Sequence, residues 1–495
     1  MTDRLAGYGP VVPFGTAMPA WPTRPERRAA GLSFAPDLES ALRAAGLQDG
    51  QSVSFHHHLR NGDGVLNATL DAAARLGVGD LTPCPSSVFP VHAPLVGHMA
   101  RGTVTGLRTG YVSGPVAQAL GQGVLARPAV LTTHGGRARD VESGRAVPDV
   151  AVIAAAMADR AGNLTGLYGD EAFGPMGYAQ PDAAHARHVI AVTDCLVDTL
   201  PVAPAIPGHQ VDQIVVLPRI GAAAGIVSGT TQITQDPEGL RIADMAARLI
   251  AASGAMRDGL NFQTGAGAVS LAVSARLGSF MRDAGVTGGF ACGGITAPLV
   301  DLHRAGLFPV LRDVQCFDLA GVESLRDDPG HSPMSASEYA HPDRADSVVG
   351  ALDVVILGAA EVDLEFNANV TTGSDGAILG GSGGHADCAA GADLTIIVTR
   401  RAARGSSRIV DRVTCRTTPG RDIDAVVTEA GIAINPARAE LIDRARAAGL
   451  PVISLDEMRR GLPLPETQGD QGSVAAVCEY RDGSVIDLVR GRDGG

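Results

Sequence analysis

Two segments in the second half of the sequence place an acid and a glycine-rich loop where chemistry on a carbonyl group would need them. Glu361 follows Asp353–Leu357, a short run rich in branched residues that is typical of a buried parallel strand. Gly380–Gly384 holds four glycines around Ser382, and glycine lets backbone N–H groups approach a thioester oxygen or a phosphate. Ligands of open α/β sheets bind beyond the carboxyl ends of strands. The pair therefore indicates acyl transfer, and the alternative is a tight turn carrying a solvated acid.

Three consecutive histidines, His56–His58, lie at the end of another predicted strand. In an extended chain their side chains alternate between faces, so only His56 and His58 could address one ligand. A zinc site would need further ligands, and no H-E-x-x-H helix follows, so no metal is predicted. Arg60 and the turn at Gly62 fit a carboxylate- or phosphate-binding loop, because arginine offers two parallel N–H donors. A polar strand end packed under a loop explains these residues equally well.

Further loops repeat this combination of flexible backbone and donors. Thr132–Arg137 closes a strand with His134 and Arg137, although such a turn is more often only a turn. Gln263–Gly267 opens a helix and could present amides to an anion, or could serve only close strand–helix packing. Cys292 at a strand end is a candidate nucleophile, but a small buried thiol is the commoner fate. The motifs G-x-x-x-x-G-K-[ST] and G-x-S-x-G are absent from the sequence, which disfavours ATP-hydrolysing motors and α/β-hydrolases.

Strand-like and helical patterns alternate along the chain, which predicts an α/β fold. The order strand, loop, helix occurs at Val53–Leu76 and again at Leu260–Ala284 as a weak internal repeat. We therefore predict two similar open α/β domains with mostly parallel sheets and an active site in the cleft between them. The predicted domains are a proline-rich extended arm, a first domain and a second domain ending in a hairpin around Asp482-Gly483. Their limits are 1–30, 31–235 and 236–495, with the boundary placed near Thr230–Glu238.

Composition limits the function classes. The 495 residues are 45% hydrophobic, and a formal net charge of -13 disfavours nucleic acid as the main ligand, because binding phosphate backbones needs a basic surface. The longest apolar runs fall short of the roughly 20 residues of a membrane-spanning helix. The first residues lack the pattern of a secretory signal, and seven scattered cysteines suggest reduced thiols. We therefore expect a cytoplasmic protein that binds neither membranes nor nucleic acid.

Several motifs in one order resemble a known family, the α subunit of citrate lyase, which is its citrate CoA-transferase component. The similarity runs from about Asp49 to Ile486. The segments that carry it are Ser54–His58, His92–Val96, His134–Arg137, Phe262–Gly265, Gly293–Ala297, Asp313–Gln315, Thr371–Gly376, Ser382–His385, Gly431–Ala433 and Asn435–Arg438.

The resemblance implies two CoA-transferase-type α/β domains and a reaction in which citrate displaces acetate from a thioester. The products would be a citryl thioester and acetate. The expected thioester is on an acyl carrier (γ) subunit, with acetyl-CoA as a surrogate, and a lyase (β) subunit would cleave the product. No tightly bound cofactor is expected. The chain would work as a homo-oligomer within that complex.

One departure from the wider CoA-transferase fold concerns the mechanism. Many relatives carry a nucleophilic glutamate where this sequence has Ala291–Gly294, so the resemblance implies direct attack of the incoming carboxylate on the thioester. A mechanism in which Glu361 or Cys292 reaches the thioester carbonyl stays open as an alternative. The expected roles are catalytic for Glu361, Gly383 and Gly384, citrate binding for His56, His58, Arg60, His134, Arg137 and His385, and thioester binding for Gly265, Gly267, Gly293, Gly294, Gly380 and Gly381.

Other functions remain open. A citramalate or other carboxylate CoA-transferase, or an acyl-CoA hydrolase, would use the same loops. A non-catalytic scaffold that only docks the carrier is a different class.

Overall fold

The computed structural model describes residues 4–19, 21–227, 232–466 and 472–491. Part of the predicted domain boundary, Thr230–Thr231, lies outside these residues. The strands of the three main sheets are β1 Ser33–Ala35, β2 Ser52–Phe55, β3 Thr82–Pro85, β4 Arg108–Thr109, β5 Ala129–Leu131, β6 Val150–Ala155, β7 His188–Thr193, β8 Gln213–Val216, β9 Phe262–Thr264, β10 Phe290–Ile295, β11 Val310–Cys316, β12 His331–Pro333, β13 Val354–Gly358, β14 Leu394–Val398, β15 Ala425–Thr428, β16 Gly431–Ile434, β17 Val474–Glu479 and β18 Val485–Arg490.

The helices alternate with these strands, as predicted. They are α1 Leu38–Ala44, α2 Val65–Arg75, α3 Leu95–Ala100, α4 Gly114–Gly121, α5 His134–Ser143, α6 Gln180–His185, α7 Pro237–Ser253, α8 Ala268–Ala284, α9 Ala297–Arg304, α10 Leu319–Asp327, α11 Ala336–Ala340, α12 His385–Gly391, α13 Ala439–Ala447 and α14 Leu455–Arg459. Helix α7 has a typical cap at each end. Asp236 accepts a hydrogen bond from Gly239 N at its start, and Gly254, with φ +90°, ends it.

Shorter elements complete the described chain. Pairs and triplets of short strands are Arg4–Leu5 with Gly9–Pro10, Met157–Asp159 with Leu164–Thr165 and Leu196–Val197, Glu361–Asp363 with Ala368–Asn369 and Ile409–Val410, and Ala402–Ala403 with Ser406–Ser407. Segments of 3-10 helix are Arg60–Gly62, Pro90–His92, Gly208–Gln210, Ala223–Ile226, Val348–Ala351 and Gly420–Asp422.

The first half of the chain forms a parallel sheet in the order β1-β8-β7-β6-β2-β3. From β2 the chain adds β3 on one side, and it then returns to add β6, β7 and β8 on the other. The strand order therefore reverses between β2 and β6. Such a reversal opens a crevice at the carboxyl ends of the strands, and His56–His58 follow β2 there.

The second half forms an eight-stranded sheet in the order β12-β11-β10-β9-β13-β14-β15-β16. All neighbours are parallel except β15 and β16. Here the order reverses between β9 and β13, so Gly265 and Gly358 lie at the second crevice. The α/β class and the mostly parallel sheets of the prediction are confirmed.

A third, four-stranded sheet joins the C-terminal segment of the chain to the first half, in the order β18-β17-β5-β4. The predicted C-terminal hairpin exists, with β17 antiparallel to β18. However, β17 pairs in parallel with β5, and the register places Ala476 opposite Ala129. The hairpin thus belongs to the first half in space, which differs from the predicted extent of the second domain. Parallel pairing of distant segments leaves no local turn signal in a sequence.

Apolar packing continues from one half to the other. The core of the first sheet also takes in Cys316, Val322 and Ile378 from the second half. A separate cluster joins Ala138 and Tyr178 to the second sheet. The halves are therefore held together by buried surface as well as by the shared sheet. Among the described residues, no helix combines the length and the apolar character that crossing a membrane requires.

Candidate active site

A cavity of about 410 Å³ lies at the carboxyl ends of β9 and β13, where the second sheet reverses its strand order. Both halves of the chain line it. The lining residues are Tyr111, His134, Tyr178, Gln263, Thr264, Gly265, Ala266, Gly267, Ser270, Gly294, Val314, Phe317, Tyr339, Leu357, Gly358, Val370, Gly381, Ser382, Gly384 and His385. No Asp or Glu is among these described residues.

The glycine loop 380–384 borders this cavity and contains amides without a hydrogen-bond partner among the described residues. Gly383, with φ +51°, donates its N–H to Gly110 O at 2.9 Å and accepts from His134 N at 2.8 Å. Gly380 N donates to Thr371 O at 3.1 Å. In contrast, no hydrogen bond within the described chain uses the N–H groups of Gly381, Ser382 or Gly384. Three donors are thus left for a ligand.

The carboxylate of Asp387 fixes this loop against the first half of the chain. Its oxygens accept hydrogen bonds from Thr133 Oγ1 and Gly135 N, both at 2.9 Å, and Arg481 Nε lies 3.6 Å away. Asp387 is fully buried. Because Thr133 and Gly135 flank His134, the same contacts set the position of that imidazole relative to Gly383.

His134 is a neutral imidazole in the cavity wall. Its ring lies 4.5 Å from that of Tyr178 and 5.5 Å from that of His57, measured between centroids. Burial, and then the charge of Arg137, lowers the pKa of His134 to about 3. Nδ1 is buried without a hydrogen-bond partner among the described residues. At neutral pH this ring offers a dipole, not a charge, to a ligand.

His385 is also neutral. Its Nε2 lies 2.9 Å from Gly358 O, and a carbonyl oxygen only accepts, so Nε2 carries the proton. Nδ1 then accepts from Thr418 Oγ1 at 2.7 Å. Burial lowers the pKa of His385 to about 4. Both nitrogens are occupied, so this side chain braces the Gly358 end of β13.

A model of the citrate lyase α-subunit family matches residues 33–491. The citrate lyase α chain of Escherichia coli K12 is 43% identical over 459 residues, which cover 92% of this chain and 90% of that one. The corresponding chain of Klebsiella pneumoniae is 40% identical over the same length and with the same coverage. The chain belongs to the citrate lyase α-subunit family.

Solved structures agree with this assignment. The α subunit of citrate lyase from Streptococcus mutans, determined in complex with citrate, is 37% identical with a TM-score of 0.92 and covers 97% of this chain and 96% of its own. A Pseudomonas malonate decarboxylase hetero-tetramer in complex with malonate is 20% identical with a TM-score of 0.64, over 84% of this chain and 83% of that chain, and shows the fold alone. The resemblance stated from the motifs and the expected class of enzyme, an acyl transferase of the CoA-transferase type, are confirmed.

Of the predicted site residues of this citrate lyase α-subunit family member, seven line the cavity: His134, His385, Gly265, Gly267, Gly294, Gly381 and Gly384. Gly380 and Gly383 belong to the same loop. Gly293, with φ +104°, lies beside β9, where a Cβ would come within 2.9 Å of the Gln263 side chain. A side chain at Gly293 would therefore displace Gln263 from the cavity wall.

His56 and Arg137 point into the protein, not into the cavity. Arg137 donates two hydrogen bonds to Asp182, at 2.9 and 2.5 Å, and His56 Nε2 lies 2.8 Å from Asp182 Oδ2. Burial opposes the ionisation of Asp182, but Arg137 and then His56 hold its pKa below the usual range. The prediction of citrate carboxylate binding by these two side chains does not fit this geometry, because a buried aspartate already occupies them.

His58 is buried as well. Its ring stacks on Phe173 at 5.1 Å, and neither nitrogen has a hydrogen-bond partner in the described part of the chain. Burial, and then nearby positive charge, lowers its pKa well below 6.5. His58 is a neutral core side chain and does not line the cavity, which departs from the predicted role.

Arg60 lies against the wall of the cavity. Its guanidinium carbon is 4.3 Å from the centroid of the Phe317 ring and 5.1 Å from that of Phe89. Its backbone has φ +50°, which costs energy for a residue with a long side chain. Burial lowers its pKa to about 10, opposed by the cavity residues Tyr111 and Tyr178. Arg60 therefore stays a cation beside Phe89 and Phe317, and Phe317 lines the cavity.

Glu361 lies outside the cavity lining. Its carboxylate is buried and accepts hydrogen bonds from Asn369 Nδ2 at 2.8 Å, Thr414 N at 2.9 Å and Thr414 Oγ1 at 3.3 Å. These contacts fasten short strands behind the glycine loop. The predicted catalytic role is not supported by this position, since the chain turns away from the crevice after Gly358 and carries Glu361 with it.

The other thirteen of the twenty described lining residues were not among the predicted site residues, and they include four with polar side chains that matter to the chemistry: Gln263, Tyr178, Tyr339 and Ser382. Two of them stood inside quoted motifs, Gln263 in Phe262–Gly265 and Ser382 in Ser382–His385. Tyr339 lies in a segment without glycine, whereas Tyr178 directly follows Gly174-Pro-Met-Gly177, so a glycine signal was present only beside Tyr178. Cys292, the candidate nucleophile, is fully buried behind Gln263, and burial raises the pKa of its thiol well above 9. It is not an activated thiolate.

Proposed function

We propose that this chain exchanges acetate for citrate on a thioester, by direct attack of a citrate carboxylate and without a thioester on the enzyme. The observation that carries the proposal is the composition of the cavity wall. Unpaired amides of Gly381, Ser382 and Gly384 are present, while no described carboxylate lines the cavity. The wall can stabilise an oxyanion, but it supplies no acid to accept the acyl group.

The amides act on the carbonyl oxygen. When a citrate oxygen bonds to the acetyl carbon, the carbonyl oxygen becomes negative and the N–H groups hold it. Removing one such donor from an enzyme typically costs about 100- to 1,000-fold in kcat. The thiolate leaves, and a mixed acetyl-citryl anhydride remains. The thiolate then attacks the citryl carbonyl, and acetate departs with the oxygen that citrate contributed.

Arg60 supplies the positive charge that binds citrate. Of the two arginines predicted to bind citrate, Arg60 is the one whose guanidinium contacts a residue of the cavity wall. Its surroundings are aromatic, at Phe317 and Phe89. A guanidinium in such surroundings keeps a strong field, because little water screens it. His134 remains in the citrate-binding set as a neutral group, since its lowered pKa excludes the charged form at neutral pH. His385 is left out of that set, because Gly358 O and Thr418 Oγ1 occupy both of its ring nitrogens.

The thioester enters along the remaining glycines, Gly265, Gly267, Gly294 and Gly380. Gly265 and Gly267 leave room for the narrow pantetheine arm, because a Cβ at either position would meet no atom closer than 3.5 Å. Gly294 instead lets the Phe317 ring pack closely against the backbone. The donor is a carrier-bound or free CoA-derived thioester. The partners are the acyl carrier (γ) and lyase (β) subunits, with the chain as a homo-oligomer in the cytoplasm. Relatives named as α chains support a multi-chain enzyme.

The first experiment mixes the purified chain with acetyl-CoA and citrate and measures citryl-CoA and acetate by mass spectrometry. Equal amounts of both are expected. Parallel reactions with citramalate and simple acids identify the preferred acceptor. Exchange with citramalate alone would retain the transfer reaction and refute the substrate. Absence of exchange with every acid, also with acetylated carrier, would refute the proposed activity in favour of a scaffold.

A single-turnover reaction with ¹⁸O-labelled citrate tests direct attack. With enzyme in excess over acetyl-CoA, direct attack places one ¹⁸O atom in the released acetate. A carboxylate of the enzyme would instead supply an unlabelled oxygen in the first turnover. Unlabelled acetate would therefore contradict the mechanism while leaving the overall reaction intact.

A further inference from the structure

Tyr339 is a cavity residue with a hydroxyl group placed at the glycine loop. It lies on α11, which packs against α5 so closely that a Cβ on Gly135 would overlap the carbonyl of Ala340. A Cβ on Gly384 would lie 2.9 Å from Tyr339 Oη. The hydroxyl therefore lies next to Gly384, one of the three loop residues whose N–H is unpaired.

The hydroxyl is held by a buried amide. Gln263 Nε2 donates to Tyr339 Oη at 2.7 Å and to Cys388 Sγ at 2.9 Å. Gln263 Oε1 accepts from the Cys292 thiol at 3.3 Å, which fixes the orientation of the amide. Because Oη already accepts a hydrogen bond, its own proton must be donated elsewhere.

Two acceptors are available to that proton. One is Cys388 Sγ, 2.9 Å from Oη, where either atom can be the donor. Sulfur is a weak acceptor, so this bond is readily replaced. The other is an oxygen bound in the cavity. If Tyr339 turns its proton to such an oxygen, the Cys388 thiol can donate to Oη in return.

We infer that Tyr339 is a catalytic hydrogen-bond donor, which holds the thioester oxygen together with Gly384 N as negative charge develops there, and that Cys388 backs its hydroxyl. The inference rests on the acyl transfer proposed above. No proton is transferred to the substrate. Tyr339 changes its hydrogen-bond partner from sulfur to oxygen, and the oxygen gains a donor in addition to the loop amides.

The protonation states agree with this role. Burial, and then the neighbouring Cys388, raises the pKa of Tyr339 well above 10. Burial also raises the pKa of the Cys388 thiol to about 12. Both groups keep their protons at neutral pH, so Cys388 is a donor and not a nucleophile.

Kinetics of Tyr339→Phe give the first test. We expect kcat for citryl-CoA formation to fall about 100-fold with little change in the KM of citrate, because the donor acts on the transition state. Cys388→Ala should lower kcat about fivefold, as expected for one weak hydrogen bond, and Cys388→Ser should restore it. Tyr168→Phe removes a hydroxyl outside the cavity lining and serves as the matched control.

A spectroscopic measurement distinguishes hydrogen-bond donation by Tyr339 to the carbonyl oxygen from a purely structural role of Tyr339 in supporting the loop. The probe is the methyl-ketone analogue of acetyl-CoA, in which CH₂ replaces the sulfur, with ¹³C at the carbonyl. Bound to the wild-type chain, its infrared carbonyl band should lie at lower frequency than when bound to Tyr339→Phe. A band at the same frequency in both would overturn the inference even if kcat falls, and so would kcat within about threefold of wild type. The probe needs no acceptor acid, so its outcome is independent of the proposed substrate.

Discussion

Replacing Arg137 with methionine distinguishes a role in citrate binding from a role inside the protein. The guanidinium donates two hydrogen bonds to Asp182, and both side chains are buried. Methionine keeps much of the length and apolar stem but removes the charge. Among the described residues, Asp182 then retains His56 as its one side-chain hydrogen-bond partner, and burial lowers the pKa of His56.

The size of the effect follows from the burial of the pair. Removing one partner of a buried ion pair costs about 3–5 kcal/mol, because the other charge is left uncompensated. The double variant Arg137→Met with Asp182→Asn removes both charges, so it should recover a large part of that loss. The coupling in this double-mutant cycle is therefore expected to be at least about 2 kcal/mol.

The sign of the pH dependence is also fixed. Because the folded pKa of Asp182 is lowered, its ionised form stabilises the wild-type chain above the unfolded value of about 3.9. This contribution is lost as the pH falls toward the lower, folded value. In Arg137→Met the lowering is removed, so the difference in unfolding free energy between wild type and variant should shrink on acidification below about pH 4.

Urea unfolding followed by far-UV circular dichroism measures these free energies, and initial rates at varied citrate give kcat and KM. We expect Arg137→Met to be less stable, with an unchanged KM for citrate at a temperature where it is folded. A variant of wild-type stability whose KM for citrate is raised tenfold would refute the reasoning. It would return Arg137 to the substrate-binding set that the sequence predicted.

Three further expectations follow from other buried groups. Glu361→Gln should unfold at lower urea, by about 1–3 kcal/mol, because the new amide faces donors from Asn369 and Thr414, while kcat stays within about threefold; a large loss of kcat at unchanged stability would support a catalytic Glu361 instead. The unfolding free energy should decrease as the pH is lowered from about 6.5 to about 4, because in this range His385 is protonated in the unfolded chain and neutral in the folded chain. In a pH series of urea unfolding curves, His385→Asn should show a smaller decrease. Glu479→Gln should cost about 3–5 kcal/mol, because Glu479 is buried with Arg108 and Arg145; calorimetry showing an unchanged melting temperature would contradict it.

Much of the fold was accessible from the sequence because its signals are local. Helix α8 ends at Ala284, as predicted, and begins directly after Gly267. Strand β13, which precedes Glu361, is the predicted short run of branched residues. The position of the C-terminal hairpin was not accessible. Its pairing with β5 joins segments more than 300 residues apart. The alternating pattern of a strand shows which face is buried but does not show which other strand it pairs with.

The site was predicted in part for the same reason. Glycine loops at strand ends mark a crevice, and seven of the selected residues line it. The charged and imidazole side chains were less predictable, because a sequence does not show which partner a side chain meets. Asp182 lies 45 residues from Arg137 in the chain. Arg137, which was predicted to bind citrate, therefore forms an internal ion pair with an aspartate that the sequence did not indicate as its partner.

The contact between the halves explains why the loop amides are available. Gly383 uses its own N–H and C=O on Gly110 and His134 across the interface, and its φ of +51° reverses the chain direction locally. The neighbouring amides of Gly381 and Gly384 are then left without partners inside the protein. Unpaired buried donors are costly, so the stability of this loop depends on its contacts with the first half, made through Gly383 and Asp387. The same docking that closes the cavity therefore creates its oxyanion donors, and neither sheet alone could present them.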